Sequence, residues 1–261
     1  MIHSSSIISP KAIIGDNVKI GPYCIVDEGV SIGEGTELIS HVHISGTTII
    51  GKKNIFFPFS SIGLIPQDKK YKGEISKLEI GNNNIFREHV TVSPGTSDGG
   101  MITSINSECL IMIGSHIAHD CRIGSNVILV NNATLGGRVT IDDHAIIGGN
   151  SALHQFVNIG KYAMIGGMSG VENNIIPYGL YMGIRSNIRG LNLIGLKRKG
   201  LDKDKIKLIN STFKKIFDSK NNILENINSL NDNELSIIEI KEMIKFINSN
   251  FKRGLSRYID E

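Results

Sequence analysis

Apolar residues recur along this chain at every sixth position. From Ile8 the series runs through Ile14, Ile20, Val26, Ile32, Leu38, Ile44, Ile50 and Phe56 to Ile62 without a break. The frame returns at Ile80, Phe86 and Val92, slips by one residue, and continues from Ile105 through Ile117, Ile123, Leu135, Ile147 and Ile159 to Val171. Four places after each member of the later series lies a second register, almost wholly small or β-branched: Cys109, Ser115, Cys121, Val127, Ala133, Val139 and onward to Ile175. A helix repeats at 3.6 residues and a half-buried strand at 2, so a period of six reads as a short strand followed by a turn. Three such units close one coil, and successive coils stack at the strand spacing of about 4.8 Å. The expected fold is therefore mainly β, a parallel β-helical prism over residues 1–183. Glycine follows the key apolar residue at Gly15, Gly21, Gly33, Gly51, Gly63 and Gly81, among others. This suits a corner with unusual backbone angles or one where coils approach closely.

Two polar stretches interrupt the period, near 63–79 and 94–104. Polar loops ejected from a rigid scaffold are common places for function; tolerated surface insertions have the same appearance. The six-residue pattern stops after about Pro177. Residues 184–261 are expected to form a helical region, with amphipathic helices over 202–218, capped by Asp202, and over 232–250, capped by Asp232, with Leu235, Ile238, Met243, Ile244 and Ile247 on its apolar side.

Composition narrows the function. The formal charge is +3, which gives no reason to expect a nucleic-acid partner. The charge is uneven, however: from Ile184 onward 16 Lys and Arg stand against 10 Asp and Glu, leaving the repeat region net acidic. A basic tail can steer an acidic partner, though solvated helices look the same. No signal peptide or apolar run of about 20 residues is evident, so no membrane span is expected and the expected location is cytoplasmic. The three cysteines, Cys24, Cys109 and Cys121, lack a CxxC spacing and all fall in the small inward register, so they are expected to be buried core thiols.

The densest chemistry is Ser115-His116-Ile117-Ala118-His119-Asp120-Cys121. Ile117 is an inward position, which puts His119 and Asp120 near a turn at the coil edge. An imidazole titrates near operating pH, and an adjacent carboxylate can orient it as a general base. Alone the pair is a weak signal. Eighteen residues on, one coil further, is Gly137, whose backbone should lie about 4.8 Å from that of His119 and whose N–H could serve as an oxyanion donor. His154 falls two coils beyond Ala118 on the same wall.

At these residues the chain resembles a known family. Ser115–Cys121, Asn131-Asn132-Ala133-Thr134-Leu135, His154-Gln155-Phe156 and Gly195-Leu196-Lys197-Arg198-Lys199-Gly200 are similar to the bacterial UDP-N-acetylglucosamine O-acyltransferases, hexapeptide-repeat transferases that open lipid A biosynthesis. The resemblance covers essentially the whole chain and implies a left-handed β-helix. It also implies an acyltransferase that moves a 3-hydroxyacyl chain from acyl carrier protein to the sugar 3-hydroxyl, in a homotrimer, with no metal or soluble cofactor. His119 would be the base, Asp120 its orienting partner and Gly137 the oxyanion donor. Gln67, Asp68, Lys70, His116, Arg138, His154 and Gln155 would contact the nucleotide sugar or acyl chain, while Asn192 and Arg198 would reach it from the neighbouring subunit. Met164 and Gly167 would set acyl-chain length. The sequence departs from the family pattern at Arg138, where His is usual, at Ser93-Pro94, where His-Arg is frequent, and at Ile184, where Asn is frequent. From its place one coil from Asp120, Arg138 could pair with that carboxylate and damp the base. A CoA-dependent acetyltransferase, a zinc carbonic anhydrase built on the same prism, a binding prism without catalysis, and acylation of a 3-amino sugar are the rival readings.

Overall fold

The computed structural model describes residues 1–183, 187–219, 221–249 and 253–258; Ile184 lies outside them. Short strands, most of two residues, stack into three parallel sheets that form the faces of a prism. The first face runs from Ile7–Ile8 to Gly170–Val171, the second from Ile13–Ile14 to Asn158–Ile159, and the third from Lys19–Ile20 to Met164–Ile165. Strand partners are one coil apart, as in Ile111 with Leu129 and Ile117 with Leu135. Both inward registers are buried: Ile117, Leu129, Leu135, Val127, Ala133 and Ala163 all have no exposed surface. Each strand thus buries one aliphatic residue and turns the next outward, while the small register fills the corners. The three cysteines sit in this core, unpaired.

The glycines that follow the key residues are needed for close approach. Gly21 has no left-handed backbone, but a Cβ there would lie 1.8 Å from the Ile39 carbonyl oxygen of the next coil. The left-handed angles fall two places later, at Asn17, Tyr23, His41 and their equivalents. Those side chains point away from the axis, and stacking of the backbone on neighbouring coils holds a conformation that costs an isolated residue about 1–2 kcal/mol.

Both insertions are shorter than the sequence suggests. Lys77–Ile80 and Ile102–Ile105 are four-residue strands that pair in register. Leu78, Ile80, Thr103 and Ile105 point inward, a two-residue alternation lying inside each apparent loop. The prism also continues one strand beyond Pro177: Gly179–Tyr181 stacks in parallel on Met164–Ile165, and Ile188–Leu191 then pairs with it antiparallel.

The helices are α1 (Leu193–Arg198), α2 (Lys203–Ile216), α3 (Ile223–Asn228), α4 (Asp232–Ser236) and α5 (Ile238–Ile247). Asp202 caps α2, accepting from the Lys205 N–H at 2.8 Å. The single helix expected over 232–250 is two helices, and its cap is Asn231. The Asn231 side chain accepts from Glu234 N–H while Glu234 accepts from Asn231 N–H, so the Asn231–Glu234 pair satisfies two donors where Asp232, with Leu235 three places on, cannot. The break at Ile237 also resets the helical phase, so Ile238 is 60% exposed while Ile240 and Met243 are buried. A second core joins these helices to the prism end through Ile176, Tyr178, Phe213, Ile240 and Met243. At its edge Glu242 contacts Lys161 and the Tyr178 hydroxyl, and Lys199 bridges Tyr178 and Glu239 at 3.0 and 2.9 Å.

Candidate active site

The turn Ala118–Cys121 joins the first face to the second and projects His119 from the prism edge. His119 Nδ1 lies 2.8 Å from Asp120 Oδ2. A carboxylate only accepts, so Nδ1 carries the hydrogen and Nε2 presents its lone pair. The Asp120 side chain has no exposed surface, whereas that of His119 is 17% exposed, so the ring alone meets solvent.

The second insertion fixes the carboxylate. Thr96 donates to Asp120 through its N–H at 2.9 Å and its hydroxyl at 2.6 Å. The Asp120 N–H donates to Thr103 Oγ1 at 2.7 Å. Gly99 packs flat against the carboxyl group, since a Cβ there would lie 1.9 Å from Asp120 Cγ. The first insertion crosses in front: Asp68 Oδ2 stands 3.7 Å from His119 Nε2, and Lys70 Nζ meets Asp98 at 3.3 Å. Glu74 ties the loops together by accepting from Ser97 N–H and Lys72 N–H at 2.9 and 2.8 Å. These backbone donors hold its carboxyl down at about 2. None of Thr96, Asp98, Gly99 or Glu74 stands out in the six-residue pattern, because the insertions lie outside the repeat, and Thr103 is hidden in the four-residue strand that resumes it.

Gly137 sits one coil above, as the spacing requires. A Cβ on it would lie 2.5 Å from both Cε1 and Nε2 of His119. Its carbonyl accepts from Phe156 N–H, while its own N–H donates to nothing among the described residues. A cleft of about 510 Å³ opens over this pair; Gln67, Asp68 and Lys70 line one side, Arg138, His154 and Gln155 the other.

Arg138 does not pair with Asp120. Thr96 and His119 supply that buried carboxylate with three donors, and the guanidinium instead lies 5.1 Å from the centre of the Phe156 ring. Its buried Nε–H has no acceptor among the described residues. His116, on the same coil as His119, does not line the cleft: it is in register with Thr134, its Nδ1 2.7 Å from Thr91 Oγ1. Burial, aided by nearby His119, lowers its pKa. Burial pushes the Cys121 thiol up to about 12, which removes it as a nucleophile beside the dyad.

Four expected site residues lie elsewhere. Asn192, Arg198 and Met164 line a separate cavity of about 550 Å³ between the third face and α1, together with His144 and Tyr162. Asn192 caps α1 there, accepting from Gly195 N–H at 2.9 Å. Gly167 is exposed at the corner between the third and first faces. Within one chain none of these meets His119. Among the described residues no group of three or more His, Cys, Asp or Glu side chains converges to hold a metal ion.

Comparison with known proteins places this geometry. The family model described as Bacterial transferase hexapeptide (six repeats) matches residues 11–46 and 102–137. That described as Udp N-acetylglucosamine O-acyltransferase, Domain 2 matches residues 174–256. The acyl-(acyl-carrier-protein)–UDP-N-acetylglucosamine O-acyltransferase of Thermodesulfovibrio yellowstonii is 47% identical over 98% of this chain and 99% of its own. Among solved structures, LpxA from Acinetobacter baumannii is 42% identical, with a TM-score of 0.94 over 98% of this chain and 99% of that one. The UDP-N-acetylglucosamine O-acyltransferase (LpxA) of Moraxella catarrhalis is 41% identical, with a TM-score of 0.93 over the same shares. The prism is thus the left-handed β-helix of the hexapeptide transferases, and the chain is an acyltransferase belonging to the UDP-N-acetylglucosamine O-acyltransferase family.

Proposed function

We propose that the protein transfers a 3-hydroxyacyl chain from acyl carrier protein to the 3-hydroxyl of UDP-N-acetylglucosamine, the first step of lipid A biosynthesis. The observation that carries this reading is His119, held through Nδ1 by a buried Asp120 with its free Nε2 beside Gly137. Nε2 takes the proton of the sugar hydroxyl as that oxygen attacks the thioester carbonyl carbon. The carbonyl electron pair moves to oxygen, where the unpaired Gly137 N–H stabilises it. Collapse expels the carrier-protein sulfur, which recovers the proton from His119, leaving an ester and a free thiol. Asp120 keeps Nδ1–H in place and stabilises the transient imidazolium, with the Asp68 carboxylate 3.7 Å from Nε2 adding to that field. Lys70, Arg138, His154 and Gln155 bind the nucleotide sugar; the orphaned Arg138 Nε–H suits an oxygen of an anionic ligand.

The working unit in this reading is a homotrimer, with Asn192 and Arg198 of one chain serving the cleft of the next. Two observations support it. Those residues line a cavity on a different face from His119. The third face also turns an apolar row outward, Ile55, Ile85, Leu110, Ile128, Ile146 and Met164, one per coil, whereas the second face carries Lys77, Arg122 and Thr140. An apolar strip of this length seeks a partner surface, and with Met164 and Gly167 it would also bound the acyl chain. The basic helical region suits an acidic carrier protein. No helix of the described residues is long and apolar enough to cross a membrane; in this reading the reaction runs in the cytoplasm, on a carrier-protein donor.

The test is a mass-spectrometric assay of UDP-N-acetylglucosamine with a ladder of hydroxyacyl carrier proteins, wild type and His119→Ala in parallel. Acylated nucleotide sugar from the wild type and loss of nearly all turnover in the variant are expected. Turnover that survives His119→Ala, or that runs on CoA thioesters alone, overturns the proposal; preference for a 3-amino acceptor revises the sugar.

A further inference from the structure

The last described segment of the chain, residues 253–258, returns to the prism and adds a partial rung at its end. Leu255 bridges Asn174 in parallel, and Tyr258 bridges Ile188. Asn174, fully buried, anchors the rung: its N–H donates to Gly254 O at 2.8 Å, its carbonyl accepts from Ser256 N–H at 2.9 Å, and its side-chain amide donates to Arg253 O. The backbone of Arg253 is therefore held by groups that do not involve its side chain.

That side chain runs back to the rim of the cleft. Arg253 Nη2 contacts His154 Nδ1, with the other ring nitrogen, Nε2, farther off at 3.3 Å, and Arg253 Nε donates to the Gln155 carbonyl at 3.2 Å. A guanidinium has only donors. The His154 nitrogen nearest to it must therefore be the unprotonated one, which leaves Nε2 as the N–H of the ring. The same Gln155 carbonyl lies 3.3 Å from Nδ1 and has a second lone pair, but Nδ1 has a single exocyclic position, and the closer guanidinium N–H takes it. One Arg fork thus sets the tautomer of His154 and pins the main chain of Gln155, two residues that line the cleft over His119 and Gly137.

We propose that Arg253 is a positioning residue for nucleotide-sugar binding, holding His154 in the tautomer that offers Nε2–H to an acceptor oxygen of the ligand. This rests on the reading of the cleft as the nucleotide-sugar site. It makes the end of the helical region part of the site within the same chain, although about a hundred residues separate Arg253 from His154. Arg is the suitable residue: its planar fork reaches a ring nitrogen and a carbonyl together, which a Lys ammonium on a flexible stem does poorly.

The experiment combines kinetics with histidine spectroscopy on the full chain. Arg253→Ala should raise the KM for UDP-N-acetylglucosamine about tenfold, the scale of one charge-assisted hydrogen bond. The kcat should stay within about twofold, because the His119 dyad is untouched. Arg253→Lys should recover part of the loss. In a His154→Ala background the Arg253→Ala substitution should add almost nothing. With 15N-histidine labelling, and His154 assigned through His154→Asn, the wild-type ring should show an unprotonated Nδ1 that begins to exchange between tautomers in Arg253→Ala. An unchanged KM, a penalty that multiplies with that of His154→Ala, or a protonated Nδ1 in the wild type overturns the proposal. If the wild type fails to acylate the nucleotide sugar, the functional reading is what fails, and the ring-nitrogen measurement still decides the tautomer. A melting temperature near wild type for Arg253→Ala separates loss of positioning from loss of the fold.

Discussion

Replacing Gly137 with Ala inserts one methyl group between two coils, and the structure says what it meets. The new Cβ would lie 2.5 Å from Cε1 and Nε2 of His119 and 3.2 Å from Nδ1. Carbon atoms in contact rest about 3.5–4.0 Å apart, so the ring must give way by roughly 1 Å. It cannot do so freely: Nδ1 is bonded at 2.8 Å to a carboxylate that Thr96 and Gly99 hold from behind. Backbone strain is no part of the effect, since Gly137 is outside the left-handed region. A misplacement of about 1 Å at a reacting group costs on the order of 100-fold in rate, or about 2.7 kcal/mol of barrier. The assay is the initial rate of nucleotide-sugar acylation by mass spectrometry, with the melting temperature taken on the same preparations. We expect kcat to fall about 100-fold with melting near that of the wild type, and no further loss when the change is made in His119→Ala. A Gly137→Ala enzyme within about threefold of wild type, or a loss that persists undiminished without His119, refutes the placement of Gly137 against the base.

Three further outcomes follow from the same geometry. Thr96→Val keeps the N–H to Asp120 and removes the hydroxyl; a hydrogen bond to a charged group is worth about 1.5–3 kcal/mol, so steady-state kinetics should show kcat reduced roughly tenfold or more with little change in nucleotide-sugar KM. Under the proposed homotrimer, mixed assemblies refolded from His119→Ala and Arg198→Ala chains should regain activity that neither parent has, because one cleft can then draw both groups from intact donors; absence of complementation counts against Arg198 serving the neighbour's site. The Glu74 carboxyl, held down at about 2 by backbone donors, is depressed in the folded state, so its support of the loops is present above the ordinary glutamate pKa of about 4.3 and is lost as pH falls toward 2. Hydrogen exchange of the Ser97 amide should accelerate across that window beyond its intrinsic pH trend, and Glu74→Gln should flatten the excess.

The loops show where reading the chain stops short. The six-residue period is local and redundant, so a single missing contact does not obscure it; hence the prism, its buried cysteines and the His119–Gly137 stacking were all legible. Lys77–Ile80 and Ile102–Ile105 were not, because a four-residue alternation beside Gly and Pro reads as loop until a neighbouring coil supplies its register. Likewise α4 and α5 share one apolar pattern, and only the capping box at Asn231 and the extended Ile237 divide them.

By itself the sequence determined the repeat: its spacing dictates which side chains face inward and which residues lie one coil apart, since both follow from eighteen residues per turn of the prism. Tertiary structure alone decided that Thr96 and Gly99 back Asp120, that Arg138 stacks on Phe156 and not against the carboxylate, and that Arg253 reaches His154. Thr96, Gly99 and Arg253 reach their partners from segments with no fixed offset, and Arg138 has both Asp120 and Phe156 one coil away, so competition for the lone pairs of one buried carboxylate and one imidazole ring settles the contacts. No spacing rule encodes that competition.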